Sequence, residues 1–427
     1  MISEFRVKNF LSFKEEQILS FEATSDQNNE DYYCIEIKEG VRLLKTAVIY
    51  GANASGKTNL LESLNFLREL ILRSPKDKNK EIGVDPFLLD DYSKNERTSF
   101  SISFFIKEIK FIYTLSLDDK RIYEENLLYY PSVQPAKLYV RTYNEKSDST
   151  EIIFGSHLKL GKKDRLIIIG NTLNNCTVLA SFGKSNVASS LLNEIFEYFA
   201  HTMKDILRPN SDLSDFTIKA LEKEPEMKNF ILSLLFESDF NISNLEIQKD
   251  DLVITPEVAK MIENSPMPED IKKSYLEKGK IENPELVYTH KTGKGFYLLP
   301  EGAESRGTIR YTGMATILYR LIKQEAILPI DEIESSLHFE LISYFIKLFL
   351  VNGEKYSQLI FTTHDINLLD EDFIRRDTVW FAEKNEEGET SLERLSDKGL
   401  HKNTSPYNAY RQGKLGAKPF MGNIFIN

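Results

Sequence analysis

Apolar and polar residues alternate through residues 5–13 (FRVKNFLSF) and 16–23 (EQILSFEA), a pattern typical of half-buried β-strands. Residues 44–51 (LKTAVIYG) instead form a short apolar run that ends in glycine, as a buried parallel strand does. A single apolar face at helical spacing follows, formed by Leu60, Leu61, Leu64, Leu67 and Leu70. The start of the chain therefore predicts strands that lead into an amphipathic helix.

Four strand-like stretches come next, and the short polar turns between them favour an antiparallel meander; the stretches are 98–106, 109–117, 121–130 and 137–143. From residue 186 the apolar periodicity becomes helical, most clearly in 189–203 and 230–236. Strand texture returns in 285–300. The middle of the chain is therefore predicted to be first β-rich and then helical.

The remaining part of the chain alternates between helix and strand, in the order helix 313–325, strand 326–332, helix 339–350 and strand 358–364. Such alternation is typical of a parallel sheet with crossover helices. We predict an α/β fold in which a mixed or parallel sheet is accompanied by an antiparallel β-subdomain and a largely helical insertion. Residues 1–155 and 285–427 would form the two halves of one head, and residues 156–284 the insertion.

The segment GANASGKT, from Gly51 to Thr58, fits the phosphate-loop pattern and lies between a predicted strand and a predicted helix. Glycines at both ends of the loop let backbone N–H groups turn toward phosphate oxygens, and the following helix directs its positive end at them. Lys57 would neutralise the outer phosphates of ATP, and Thr58 would bind Mg²⁺. The predicted nucleotide contacts are Gly51, Asn53, Ala54, Ser55, Gly56, Lys57, Thr58 and Asn59.

A phosphate loop that hydrolyses ATP needs a metal-binding aspartate and an activator of water, and residues 326–332 (AILPIDE) offer both. Asp331 would bind Mg²⁺, and Glu332 would act as general base. His364, at the end of the next predicted strand, could hydrogen-bond the terminal phosphate or the attacking water. Pro329 must be tolerated within this strand although it removes a ladder hydrogen bond.

This ordered set of motifs resembles the ATPase heads of the ABC superfamily, in the branch shared by SMC, Rad50, RecF and OLD-family proteins. The resemblance implies that ESRGT (304–308) is the signature segment, ESSLH (334–338) the D-loop and His364 the switch histidine. Its nucleotide-contacting residues would be Ser305, Arg306, Gly307 and Thr308. They would face the ATP of a partner subunit, so that two heads enclose two ATP molecules in a homodimer or a higher oligomer.

Within that branch the chain is similar to bacterial abortive-infection ATPases of the Abi/Rlo type. The likeness lies in VKNFLSF, GANASGKTNLLESL, ESRGT, IDEIESSLH, LIFTTHDINLLD and the segments after residue 376. It implies an ATPase that senses infection or controls a separately encoded toxic effector, often a nuclease. The chain departs from the wider pattern because no glutamine occurs between Lys57 and Gln134, so the Q-loop glutamine is missing or replaced. The insertion also lacks the long heptad pattern of coiled-coil arms.

The formal charge of −11 argues against a protein that binds nucleic acid through its overall field. Local basic segments keep a RecF-like or SMC-like DNA-binding ATPase as an alternative; they are Lys159, Lys162, Lys163 and Arg165, and Lys398, Lys402, Arg411, Lys414 and Lys418. An OLD-type nuclease is less favoured because only 63 residues follow His364. A scaffold that binds ATP tightly and seldom hydrolyses it remains open.

The sequence shows neither an apolar run of roughly 20 residues, as a membrane helix requires, nor a signal peptide at its start. Cys34 and Cys176 belong to no paired motif, which disfavours a disulfide framework and a cysteine zinc site. We therefore expect a cytoplasmic protein without a membrane partner.

Overall fold

The computed structural model describes residues 1–401 and 403–417. The chain divides into two compact units. The first unit contains Met1–Pro209, Lys323–Ser335 and the described residues from Ile346 onward. The second contains Asn210–Ile322 and Ser336–Phe345. Residues from the start of the sequence and residues after Ile346 thus contribute to the same unit.

The strands of the described residues are β1 (Ile2–Lys8), β2 (Gln17–Ser20), β3 (Cys34–Lys38), β4 (Val41–Leu44), β5 (Thr46–Tyr50), β6 (Thr98–Ile106), β7 (Ile109–Leu117), β8 (Ile122–Tyr130), β9 (Ala136–Asn144), β10 (Ser149–Phe154), β11 (Ile242–Val253), β12 (Lys280–Thr292), β13 (Gly295–Pro300), β14 (Ile327–Ile330), β15 (Gln358–Thr363), β16 (Val379–Lys384) and β17 (Thr390–Arg394). The α-helices are α1 (Glu30–Tyr33), α2 (Lys57–Leu72), α3 (Lys162–Asn171), α4 (Val178–Gly183), α5 (Ser190–Glu197), α6 (Leu213–Lys223), α7 (Met227–Glu237), α8 (Pro256–Glu263), α9 (Glu269–Lys278), α10 (Arg306–Lys323), α11 (Phe339–Asn352) and α12 (Pro406–Arg411).

The sheet that carries the predicted phosphate loop has the order β14-β15-β5-β16-β17. The pairs β14–β15, β15–β5 and β5–β16 are parallel, and β17 runs antiparallel to β16. All residues of β5, β14 and β15 are buried, which explains why these strands are continuously apolar rather than alternating. In parallel neighbours the carboxyl ends lie at the same edge, so the residues after β5, β14 and β15 meet there.

The second large sheet of the first unit is antiparallel, with the order β10-β9-β8-β7-β6-β1-β2. One face of it packs into the core together with the apolar face of α2, where Leu60, Leu61, Leu64 and Leu67 are buried. The meander predicted from the sequence corresponds to β6–β9. Burial of that shared face ties the phosphate-loop helix to the sheet.

The second unit contains a three-stranded antiparallel sheet, β11-β12-β13, together with the helices α6 to α9. The predicted α/β class with an antiparallel β-subdomain is confirmed. Residues 156–284, which the sequence predicts to be mainly helical, contain α3 to α9 and also β11, which the sequence pattern does not indicate. The second half of β11 is polar and exposed, so it shows little of the alternation that marks a half-buried strand. Within the described residues no helix combines the length and apolarity that a membrane crossing requires.

Candidate nucleotide-binding site

The predicted phosphate loop lies between β5 and α2, and its backbone depends on glycine at both ends. Gly56 has φ 100°, a conformation that favours glycine, and a Cβ there would lie 2.3 Å from Thr390 Oγ1 and 2.7 Å from Ser12 Oγ. A Cβ on Gly51 would lie 2.5 Å from the Ala382 carbonyl oxygen. The loop is therefore packed closely against its supports, and neither position has room for a side chain.

Hydroxyl groups from distant parts of the chain contact the loop and support it. Thr390 Oγ1 contacts the Ser55 carbonyl oxygen at 2.9 Å and Ser12 Oγ at 2.8 Å. Asn59 Nδ2 donates to the same Ser12 Oγ at 2.8 Å. The sequence does not indicate a role for Ser12 or Thr390, because a single hydroxyl residue in a strand or turn gives no local signal. Of the predicted loop residues, Asn53 and Ala54 are exposed, whereas Ser55 is buried and its Oγ has no hydrogen-bond partner among the described residues.

Lys57 is buried and its ammonium group lies over the loop. Its Nζ donates to the carbonyl oxygens of Gly51 at 2.9 Å and Ala52 at 3.0 Å. Burial lowers the pKa of Lys57, and the nearby carboxylates of Asp331 and Glu332 partly oppose this shift. The lysine is thus a desolvated cation at the predicted phosphate position.

Thr58 and Asp331 meet at the edge of the parallel sheet. Thr58 Oγ1 donates to the two carboxylate oxygens of Asp331 at 3.1 and 3.0 Å. Thr362 Oγ1, near the end of β15, donates to Asp331 Oδ1 at 2.7 Å. The Asp331 side chain is buried, so these bonds fix the orientation of its carboxylate. The two predicted Mg²⁺ ligands are therefore adjacent, one from each motif.

Glu332 and His364 follow β14 and β15 and lie near each other. Glu332 has φ 47°, a left-handed conformation that is strained for a residue other than glycine. Its N–H donates to Thr362 Oγ1 at 2.8 Å, and its Oε1 lies 3.9 Å from His364 Nε2. The backbone N–H of His364 donates to a carboxylate oxygen of Glu334. The side chains of Glu332 and His364 are both partly exposed, which leaves them accessible to water.

An irregular segment, 203–207, extends the sheet beside β14 and holds the backbone of Asp331. Leu207 donates its N–H to the Pro329 carbonyl oxygen at 2.9 Å, and its own carbonyl accepts the N–H of Asp331 at 2.8 Å. Within a strand the N–H and C=O of one residue point to the same side. The N–H that Pro329 lacks would therefore face this irregular segment rather than β15, which explains how the strand tolerates proline.

The predicted signature residues begin α10 in the second unit. Ser305 Oγ accepts the N–H of Thr308 at 3.0 Å and lies 2.8 Å from Thr308 Oγ1, so Ser305 caps the helix. Ser305 and Arg306 are exposed. A Cβ on Gly307 would lie 3.1 Å from the carbonyl oxygen of Ser336, in the predicted D-loop. Signature and D-loop backbones thus pack closely within this unit.

The predicted basic segment near the C-terminus is only partly described. Lys398 contacts the Glu393 carboxylate, and its Nζ lies 5.6 Å from the ring centre of Phe381. Lys402 and Lys418 lie outside the described residues. At least one charge of this segment is therefore already paired within the protein.

The sequence model of one protein family, described as "AAA domain, putative AbiEii toxin, Type IV TA system", matches residues 47–172 and 183–370, more than half of the chain. This match confirms the resemblance to abortive-infection ATPases. No curated protein matches the chain.

Several solved structures are similar to the chain at low sequence identity. One is an SMC head domain from Thermotoga maritima, at 12% identity and a TM-score of 0.41, covering 92% of this chain and 98% of that chain. Another is an SMC head bound to the C-terminal winged-helix domain of ScpA, at 11% identity and a TM-score of 0.44, covering 92% and 96%. A third is an SMC head with an extended coiled coil, bound to the C-terminal domain of ScpA and derived from Pyrococcus furiosus, at 10% identity and a TM-score of 0.39, again covering 92% and 96%.

Proposed function

The chain belongs to this family of AAA domains from AbiEii-type, type IV toxin–antitoxin systems, and we propose that it is the ATP-hydrolysing subunit of a bacterial anti-phage, abortive-infection system. Two copies would enclose two ATP molecules. The state of this dimer would hold or release a separately encoded toxic effector, which we propose is a nuclease. The observation that carries the proposal is the adjacency of Thr58 and Asp331 beside the buried Lys57.

The residues at this position fit Mg²⁺ and a nucleotide triphosphate. Mg²⁺ commonly takes one or two protein ligands and completes its shell with water and phosphate oxygens. Thr58 Oγ1 and Asp331 supply those protein ligands, and no cluster of three or more His, Cys, Asp or Glu residues among the described residues competes with them. On nucleotide binding, Lys57 would exchange its contacts with the two carbonyl oxygens for contacts with phosphate oxygens. The negative phosphate would then stabilise the ammonium charge that burial has removed from water.

In this proposal Glu332 accepts a proton from the attacking water, and His364 orients that water or the terminal phosphate. The separation of 3.9 Å between Glu332 Oε1 and His364 Nε2 leaves both groups within reach of one small polar molecule. Bound ATP and Mg²⁺ supply the phosphoryl group and its charge neutralisation. The strained backbone at Glu332 supports a functional role, because such strain is retained where the surroundings enforce it.

The placement of the predicted signature residues at a helix start supports the proposed homodimer. The Ser305 hydroxyl and backbone N–H groups at the start of α10, including that of Gly307, could donate hydrogen bonds to a terminal phosphate. We propose that they meet the ATP of the partner copy. Buried phosphate charge is then compensated only in the closed dimer, so ATP favours closure and hydrolysis favours opening.

The experiment that tests this function measures the solution mass of Glu332→Gln protein with and without ATP and Mg²⁺. We expect a monomer that doubles its mass only when both are present, because the variant binds ATP without hydrolysing it. Lys57→Ala serves as the matched control and should stay monomeric. A mass that ATP does not change, in a variant shown to bind ATP, would contradict the ATP-dependent dimer.

The defence role needs its own test in cells. Phage infection of bacteria that carry the native locus should be restricted by the parent and not by the Lys57→Ala variant, at equal protein levels. Affinity purification of the Glu332→Gln protein with its genetic neighbours should recover the effector. Equal restriction by both alleles would overturn the proposal that ATP controls defence.

The alternative is a RecF-like or SMC-like ATPase that binds DNA in repair or recombination. Its support is the set of basic residues near 159–165, where Lys159, Lys162 and Lys163 are exposed. DNA binding that weakens steeply with salt would favour it, because such binding releases counterions. Absence of DNA binding at low salt would exclude it.

A further inference from the structure

The signature segment is connected to the three-stranded sheet of the second unit by a short, ordered turn. β13 ends at Pro300, and a 3-10 turn (Glu301–Ala303) leads to Glu304, the residue before the helix cap Ser305. The N–H of Gly302 donates to Glu285 Oε1 at 3.3 Å, and the N–H of Glu304 donates to the Glu301 carbonyl oxygen at 2.9 Å. The turn is therefore held from within the same unit.

A side-chain contact between His290 and Glu304 also anchors this turn. His290 lies on the central strand β12, opposite Tyr297 on β13 and Ile242 on β11. Its Nε2 is in hydrogen-bond contact with Glu304 Oε1. The Glu304 side chain is only 5% exposed, whereas that of His290 is 27% exposed. A carboxylate removed from water to this degree needs a polar partner, and the imidazole provides one.

The position of Glu304 determines what this contact can control. Glu304 is bonded directly to Ser305, whose hydroxyl caps α10 through the N–H of Thr308. The other side of the segment is confined by the close approach of Gly307 to the Ser336 carbonyl oxygen. Two contacts thus limit the orientation of Ser305: that of Glu304 with His290 on the sheet, and that of Gly307 with the D-loop.

We propose that His290 is a positioning residue for the nucleotide site of the partner copy. It holds Glu304 so that Ser305 and the first N–H groups of α10 present a fixed phosphate-binding end. The inference rests on the proposed function, because it needs the signature segment to act on the ATP of a second copy. In this scheme His290 acts only on the signature segment, so its loss should leave ATP binding to the monomer intact.

The test begins with His290→Ala, which should lower the steady-state ATPase rate at least tenfold. The dissociation constant for ATP of the monomer should change less than twofold. His290→Gln keeps an N–H donor and should restore most of the rate. Lys291→Ala is the matched control, because Lys291 is the next residue on β12 and its side chain is exposed, and this variant should match the parent.

Mixing experiments distinguish positioning in trans from a general loss of folding. In a mixture of His290→Ala with Lys57→Ala, mixed dimers would contain one site that joins the intact phosphate loop of the first variant to the intact signature of the second. Because each mixed dimer contains one active site instead of two, the mixture should reach at most about half of the parental rate per subunit, and a rate well above that of either variant alone. Neither variant alone should show that rate.

A parallel mixture of Ser305→Arg with Lys57→Ala tests the trans arrangement of the dimer separately from the role of His290. If this mixture recovers activity and the His290→Ala mixture does not, His290 does not act through the signature and the inference fails while the proposed dimer stands. If neither mixture recovers activity, the trans arrangement itself is wrong. Recovery in both mixtures supports the positioning role of His290.

Discussion

Thr58 and Asp331 are 273 positions apart in the sequence, yet the Thr58 hydroxyl donates to both carboxylate oxygens of Asp331, at 3.1 and 3.0 Å. The contact joins the start of α2 to the residue that follows β14, at one edge of the parallel sheet. The fold thus brings together two oxygen-bearing side chains of the type that Mg²⁺ prefers.

Asp331→Asn should remove the Mg²⁺ dependence of nucleotide binding while preserving the shape of the site. The amide is nearly isosteric but neutral, so it binds a hard divalent cation poorly. We expect ATP affinity in the presence of Mg²⁺ to fall to the value that the parent shows in EDTA, measured with a fluorescent ATP analogue. Mg²⁺ that still strengthens binding to the variant would show that Asp331 is not the metal ligand.

Lys57→Ala should reduce ATP affinity by at least about a hundredfold, because charge-assisted contacts to the outer phosphates are lost. Equilibrium dialysis with labelled ATP measures this effect. In the variant, water can hydrogen-bond the two carbonyl oxygens that Lys57 contacts. The fold should therefore be retained, and the circular dichroism spectrum should match that of the parent. Retention of ATP affinity would indicate that another cation neutralises the phosphates.

The sequence predicts the parts of the site that are local in the chain and misses those that arise from distant pairing. GANASGKT and the pair Asp331–Glu332 each combine a loop with the strand that precedes it, so the pattern itself indicates their placement. The contact of Thr390 with Ser12 joins residues 378 positions apart, and neither residue differs locally from an ordinary surface hydroxyl. Segment 203–207 likewise lies in a region whose apolar spacing predicts helix, because its strand-like pairing depends on β14, which is more than 100 residues away in the sequence.

Thr390→Val should weaken nucleotide binding without removing the fold, because valine retains the shape but leaves the Ser55 carbonyl oxygen without its hydroxyl partner. A buried unpaired acceptor costs about 1–3 kcal/mol, part of which would appear as looser binding, up to about tenfold. Thr390→Ser keeps the hydroxyl and should bind ATP like the parent. Equal binding by the valine and serine variants would show that the support is purely steric.

Glu125→Gln should destabilise the first unit strongly while leaving the site chemistry unchanged. Glu125 is fully buried and accepts hydrogen bonds from Tyr113, Tyr139 and the N–H of Val178, and it pairs with the buried Arg141 at 3.3 Å. Neutralising one partner leaves the arginine charge uncompensated, which costs about 3–5 kcal/mol. Denaturant unfolding of Glu125→Gln should show this loss, whereas Glu124→Gln, at an exposed neighbouring position, should unfold like the parent. Equal stability of the two variants would contradict the importance of the buried pair.

Lys45 makes the stability of the first unit depend on alkaline pH. Burial lowers the pKa of Lys45 to about 8 from the model-compound value of 10.5, and its Nζ donates to the Gly353 carbonyl oxygen at 3.0 Å. Below pH 8 the folded and unfolded states both carry the charge, so the folded state bears the full cost of burying it. Between pH 8 and pH 10.5 the folded state binds fewer protons than the unfolded state, and its stability therefore rises with pH.

Lys45→Met removes the titrating group at similar volume, so the difference in unfolding free energy between parent and variant isolates its contribution. That difference should shift in favour of the parent by about 3 kcal/mol as the pH rises from 8 to 10.5. Other groups that titrate in this range affect both proteins equally and cancel. Denaturant unfolding of both proteins at several pH values measures the shift, and a difference that stays constant with pH would show that Lys45 remains charged in the folded protein.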